Sequence, residues 1–168
     1  MLSTMRTLRT FSLLLVLAAT LAVAAAMTTF VVGVRSRNSS VLRFARTFQR
    51  DVINPRVLRE AGRAGSQYSV IRHTGRTTGR EYETPIEALP FEGGFFIALV
   101  YGEQAQWARN VRAANSATLV HDGAEHAIVG VEVVPITHTP LAEANRTSIA
   151  IMGITSALRL SLASPEPA

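Results

Sequence analysis

HTGRTTGREYETPI, running from His73 to Ile86, packs unusual backbone demands and positive charge into one short stretch. Gly75 and Gly79 bracket Arg76, Thr77 and Thr78, so the chain can turn sharply and offer N–H groups outward. Arg76 and Arg80 are close enough in sequence to converge on one anion. Apolar alternation at Tyr68 and Val70 resumes at Tyr82, Thr84 and Ile86, which makes the loop a link between antiparallel strands rather than the opening of a helix. No Lys-Ser/Thr pair follows the second glycine, and this separates the stretch from a Walker loop. Taken alone, the loop reads first as a solvated hairpin tip and second as a phosphate holder.

Further strands extend from this hairpin. The pattern predicts strands at Gln67–Arg72, Glu81–Leu89, Gly94–Val100, Ala117–Asp122 and Glu125–Val134. Pro90-Phe-Glu-Gly-Gly94 and Asp122-Gly123-Ala124 are hairpin signals, so the sheet is mostly antiparallel, a meander or small barrel, and the class is mainly β (α+β). The single long crossover, Gln104 to Ala114, has helical composition with Trp107, Val111 and Ala114 on one face. After Pro135, Thr139 as N-cap and Pro140 at the first helical position predict a C-terminal helix carrying Ile149, Met152, Ile154 and Leu158, and then a frayed tail from Ser164 to Ala168.

Upstream, Phe11 to Val34 carries no charge, and as a helix it extends about 36 Å, enough for a bilayer core. A cleaved secretory signal is the rival reading, since Arg6 and Arg9 form a basic start and Ala24-Ala25-Ala26 fits a small-residue cleavage pattern. The anchor is preferred. Arg35, Arg37, Arg43, Arg46 and Arg50 outnumber Arg6 and Arg9, which keeps the following domain on the cytoplasmic side of the cell membrane. From Ser39 or Ser40 as N-cap, an amphipathic helix runs towards Val52, with Val41, Leu42, Ala45, Phe48 and Val52 on one face, until Asn54-Pro55 interrupts it and Arg56 to Ala61 makes a further short turn.

Composition narrows the chemistry. The chain's 168 residues include no cysteine, which excludes disulfide scaffolds, thiol catalysis and Cys-built zinc sites. From Arg35 to Arg80 eleven arginines face only Asp51 and Glu60; from Glu81 onward four arginines face ten acids. The basic front half calls for a polyanionic ligand or an anionic membrane surface. Nucleic acid is excluded as a partner, because no binding motif is present and Phe44, Phe48 and Tyr68 are too sparse for a stacking platform. There is no GxSxG elbow and no HExxH, and no metal site is expected; His121 and His126 flank a turn and read as exposed strand residues rather than a shared ligand pair.

The segment Val100-Tyr-Gly-Glu-Gln-Ala-Gln-Trp-Ala-Arg-Asn-Val111 places Trp107 and Asn110 three apart, on one helix face just behind a strand ending at Tyr101-Gly102. TGRTTGREYETP, then YG, then WARNV resembles the deazaflavin-dependent nitroreductase family, split β-barrel oxidoreductases that include coenzyme F420-dependent nitro and quinone reductases. The resemblance covers about Arg50 to Pro135. It implies a six-stranded antiparallel split barrel that binds reduced coenzyme F420 and passes a hydride to a small quinone or nitro acceptor. Arg76, Thr77, Thr78, Gly79 and Arg80 would then hold the cofactor phosphate, with Thr84 and Pro85 from the same motif. Val100, Tyr101 and Gly102 would run along the deazaflavin ring, Trp107 and Asn110 would close the site, and Tyr101 would donate to the acceptor's reduced oxygen. Three features depart from the family: Thr77 stands where lysine is common, Tyr82 where arginine is common, and the C-terminal helix has no tyrosine. FMN in the same fold, or a membrane-associated cofactor-binding protein without turnover, are the alternatives. The implied organisation is an anchor or signal at 1–34, a basic helical segment at 35–65, the split-barrel deazaflavin domain at 66–136, and a C-terminal helix and tail at 137–168.

Overall fold

Seven strands form one wholly antiparallel sheet: β1 (Ser69–Thr74), β2 (Glu81–Ile86), β3 (Leu89–Phe91), β4 (Gly94–Ala98), β5 (Ala117–His121), β6 (Ala124–Pro135) and β7 (Ser156–Leu162). Their order is β2-β1-β5-β6-β7-β4-β3, so β2 and β3 are opposite edges, yet only Glu87 and Ala88 lie between them in the chain. In a flat sheet those edges would stand about 29 Å apart at some 4.8 Å per strand. The link between them reaches about 11 Å. The sheet therefore curls into a half-barrel. Pro85 and Pro90 fall on the two edge strands, where a residue without an N–H is tolerated. The structure, a computed structural model, describes residues 2–163; the tail expected from Ser164 to Ala168 lies outside the described residues.

Alternation assigns the faces. Ile71 in β1, Phe95 and Ile97 in β4, Leu119 in β5, Ile128 in β6, and Leu158 and Leu160 in β7 point into the barrel, where Ala108 and Val111 of α4 (Gln106–Ala114) join them. The other face of β4 and β7 is buried as well: Phe96 and Ala157 pack with Ile136, Leu141 and Ile154 under α5 (Leu141–Ala144) and α6 (Arg146–Met152). This two-sided burial explains the unbroken apolar run in β4. A register shift between Ile128 and Gly130 leaves Val129 as the extra residue of a bulge, 54% exposed.

The sheet corrects the expected strand count from six to seven. The predicted second strand breaks into β2 and β3, and the predicted C-terminal helix stops at Met152, capped by Gly153 at φ 63°. Leu158 therefore lies in a strand, not a helix. Pro140, rather than Thr139, is the N-cap of α5; Thr139 instead bonds its hydroxyl to the Ile136 carbonyl at 2.7 Å. Because β7 pairs with both β6 and β4, the stretch after residue 136 completes the sheet rather than following it.

Before the sheet lie α1 (Leu2–Arg35), α2 (Ser39–Phe48), a π turn (Gln49–Ile53) and α3 (Asn54–Val57). The cap of α2 is Asn38, whose Oδ1 accepts from the Ser40 and Val41 amides, not Ser39 or Ser40. Asn54-Pro55 does not interrupt the helical path. The wider π register falls just before Pro55, whose ring would otherwise press on the carbonyl four residues back. Among the described residues, Phe11–Arg35 is the one helix long and apolar enough to cross a membrane, with mean hydropathy 2.3. The domain begins to cover it only at its foot. A Cβ on Gly33 would lie 2.6 Å from Val41 Cγ2, Val34 is fully buried, and Arg37 Nη2 donates to the Gly153 carbonyl at 3.1 Å.

Candidate functional site

The hairpin forms as its glycines dictate. Thr74 pairs with Glu81, the Gly75 amide donates to the Arg80 carbonyl at 2.7 Å, and Gly79 turns the chain at φ 66°. Its amides are less available than the sequence implied. Those of Thr78 and Gly79 both bond the Gly75 carbonyl, and that of Arg76 bonds Asn110 Oδ1 at 3.3 Å. The loop is thus tied inward, and its outward-facing chemistry is carried by side chains.

Asn110 is the hub. Its Oδ1 accepts from the Arg76 guanidinium at 2.8 Å as well as from the Arg76 amide, which orients the carboxamide so that Nδ2 faces His73 Nδ1 at 3.3 Å. His73 Nδ1 must then carry the lone pair, leaving Nε2–H to donate to Thr84 Oγ1 at 3.2 Å. Both members are enclosed, Asn110 at 6% and His73 at 7% exposure. The crossover helix, the hairpin loop and both hairpin strands are locked together by one polar chain. Tyr82 stacks on His73 at 5.8 Å and shares a 3.2 Å hydrogen bond with Thr78, filling the side of the loop.

Burial holds the His73 imidazole below its ordinary value of 6.5. The unfolded chain takes up a proton near that value and the folded chain does not, so His73 contributes stability above pH 6.5 that is lost as pH falls towards its lower folded pKa. Denaturant titrations from neutral pH downward are expected to show this decline, and His73→Gln is expected to remove this residue's share of the slope. An unchanged slope would show that His73 takes up its proton alike in the folded and unfolded chain.

A cleft of about 900 Å³ opens beside this network. Arg76, Thr77, Thr78, Thr84 and Pro85 line it from the hairpin; Val100, Tyr101 and Gly102 from the turn after β4, which stops at Ala98 and not at the expected Val100; Trp107 and Asn110 from α4. Gly79 and Arg80 lie outside its lining. Trp107 also packs against the barrel core, so its core and cleft readings are both met. Burial pushes the Tyr101 phenol up from 10.0, which keeps it a hydrogen-bond donor through the neutral range. Gly102 turns at φ 77° over Arg37, leaving 3.2 Å between a notional Cβ and Nη1, so the turn between α1 and α2 abuts the cleft.

Arg43, Arg46 and Arg50, which the sequence offered only as a signal of membrane orientation, also line the cleft, as does Arg109 from α4. Their three- and four-residue spacing on one helix was the available signal. Arg50 is held by Asp51 at 2.6 Å. Asn54 Oδ1, also on the cleft, is buried with no hydrogen-bond partner among the described residues.

His121 and His126 are not exposed strand residues. Both are half-buried, edge-on to the Phe95 ring at 5.1 and 5.2 Å, and His121 Nδ1 meets Ser69 Oγ at 2.7 Å. No group of three or more potential metal ligands occurs among the described residues.

No family model matches the chain, and no curated protein matches it. Among solved structures, it is similar to the conserved hypothetical protein Rv2991 of Mycobacterium tuberculosis, at TM-score 0.44 and 14% identity over 60% of this chain and 75% of that one. It is also similar to HutZ, a heme storage protein of Vibrio cholerae, at TM-score 0.43 and 13% identity over 66% and 90% of the two chains. A third is a Clostridium acetobutylicum protein of the pyridoxinephosphate oxidase family, related to general stress protein 26 of B. subtilis, at TM-score 0.40 and 13% identity over 70% and 84%.

Proposed function

We propose that this chain is a membrane-anchored oxidoreductase, its catalytic domain on the cytoplasmic side, that takes a hydride from reduced coenzyme F420 and gives it to a quinone or nitro acceptor. The observation that carries this reading is convergence: the glycine-bracketed hairpin and, well downstream of it in sequence, the turn after β4 with the start of α4 share one cleft. Its volume of about 900 Å³ suits a cofactor-sized ligand.

The lining fits a deazaflavin with a charged tail. Val100 and Trp107 supply an apolar wall, Asn54 Oδ1 an acceptor in want of a donor, and Arg43, Arg46, Arg76 and Arg109 a spread of guanidinium groups for phosphate and carboxylates. FMN has a single phosphate and would leave much of that charge unused, which is why F420 is preferred over FMN. Bound there, the reduced deazaflavin supplies the hydride, so the protein needs to orient, exclude water and offer a donor rather than assemble an acid–base triad. Tyr101, protonated and at the cleft wall, is the proposed donor to the acceptor's reduced oxygen.

Titrating the full-length protein in detergent with each cofactor tests the reading. Binding of F420 with FMN much weaker is expected; submicromolar FMN binding without F420 binding would overturn it. Arg76→Ala is expected to weaken F420 binding by about 1.5–3 kcal/mol, less at high salt, whereas Arg80→Ala, outside the cleft, should leave it unchanged.

A further inference from the structure

Among the described residues beyond α1, the large apolar side chains left exposed are Phe44, Phe48, Ile53, Tyr82, Val129 and Ile151. Their distribution is uneven. Phe44 and Phe48 are on α2, Ile53 ends the π turn continuous with it, and Ile151 is on α6; α2 and α6 are the helices packed on the foot of α1.

α2 carries one broad apolar arc, of which the domain buries only part. Leu42 and Ala45 turn inward and are buried, while Phe44 and Phe48, one helical turn apart, stand outward at 64% and 45% exposure with their rings stacked at 5.9 Å. The sequence had grouped Phe48 on one face with Leu42 and Ala45; in the structure those two are buried and Phe48 is left exposed. An outward aromatic pair is costly to leave in water, and nothing in the domain covers it.

The position of α1 says what does. Its side chains from Phe11 to Thr29 are exposed, Phe30 and Val31 are half-buried, and the domain closes on it at Gly33 and Val34, only a few residues before α2 begins at Ser39. A bilayer around α1 must therefore end close against α2 and α6. We propose that α2 and the exposed edge of α6 form a membrane-surface face, with Phe44 and Phe48 inserted at the boundary between headgroups and acyl chains. The occupant is the lipid bilayer that α1 spans. This rests on the anchor reading of α1 and not on the identity of the cofactor. Arg43 and Arg50 flank the aromatic pair and also line the cleft, so the docked face brings the cleft mouth to the headgroup layer, where a lipid-soluble acceptor is concentrated.

The chain has no native cysteine, which permits single labels in the full-length protein. Phe44→Cys and Phe48→Cys would carry nitroxides in vesicles of phosphatidylcholine and phosphatidylglycerol, with Leu17→Cys on α1 as the lipid reference and exposed Ala124→Cys as the water reference. Collision with oxygen relative to a water-soluble nickel chelate is expected to be several-fold higher at 44 and 48 than at 124. Water-like ratios at 44 and 48 with a lipid-like ratio at 17 would overturn the docking face and leave the anchor standing; a water-like ratio at 17 would overturn both. Shielding of 44 and 48 from both probes would assign the face to a second copy of the chain and overturn the membrane assignment.

Discussion

Gly94→Ala is expected to destabilise the protein by about 3 kcal/mol, at the upper end of what overpacking costs. Gly94 opens β4 opposite Ser161 of β7, and a Cβ there would lie 1.8 Å from the Leu160 carbonyl oxygen. The obstacle is backbone, so no side-chain rotation relieves it. The β4–β7 seam also carries both cores, with Phe95, Ile97, Leu158 and Leu160 on one face and Phe96 and Ala157 on the other. Forcing it apart loosens the barrel interior and the layer under α5 and α6 together. Gly93→Ala is the control: at φ 88° it carries backbone strain, about 1–2 kcal/mol, but its Cβ would meet nothing within 4 Å. Equal losses for the two variants in urea denaturation would show that the close approach of β4 and β7 is not what glycine serves here.

Asn110→Leu is expected to cost a further large amount, about 2–3 kcal/mol, and to free the hairpin. It removes the acceptor of the Arg76 amide and guanidinium and the donor to His73, leaving a buried imidazole nitrogen without a partner. Amide exchange at Arg76 should accelerate, because that N–H loses its acceptor. Asn110→Asp separates the two halves of the network. The carboxylate still accepts from Arg76 but presents an acceptor to His73 Nδ1, so the imidazole must rotate, change tautomer or take a proton. The His73 pKa should rise and the acid-side loss of stability attributed to it should shrink. A His73 titration unchanged by Asn110→Asp, followed by NMR, would show that Asn110 does not set its protonation.

The parts legible in the sequence are those governed by local rules. Gly75 and Gly79 dictate a turn wherever the chain runs, the charge-free stretch from Phe11 is long enough to be helical by itself, and Trp107, Val111 and their neighbours have helical spacing over a length no strand would need. β7 was lost because Thr139-Pro140 is a genuine helix start and Ile149 and Met152 continue its period, so the helix was carried past Gly153. The alternation of Leu158, Leu160 and Leu162 was the signal against it. Phe48 was misplaced for a different reason: it lies at the edge of a broad apolar arc of α2, and periodicity alone cannot say where along that arc the protein's interior ends. The site was legible as two motifs and not as a network. That His73, rather than a more distant residue, would meet Asn110 depends on α4 packing across β1, and that Arg43, Arg46 and Arg50 would reach the same cleft depends on a helical path running on past Pro55.

The central claim is hydride transfer, and it is tested most directly by mixing the full-length protein in lipid nanodiscs, without oxygen, with reduced coenzyme F420 and menadione. The account predicts protein-dependent return of the oxidised deazaflavin absorbance and fluorescence, matched one for one by menadiol. Tight binding of reduced F420 with no oxidation by menadione or by any of a panel of quinones and nitroaromatics would contradict it, and would make the chain a carrier rather than a reductase.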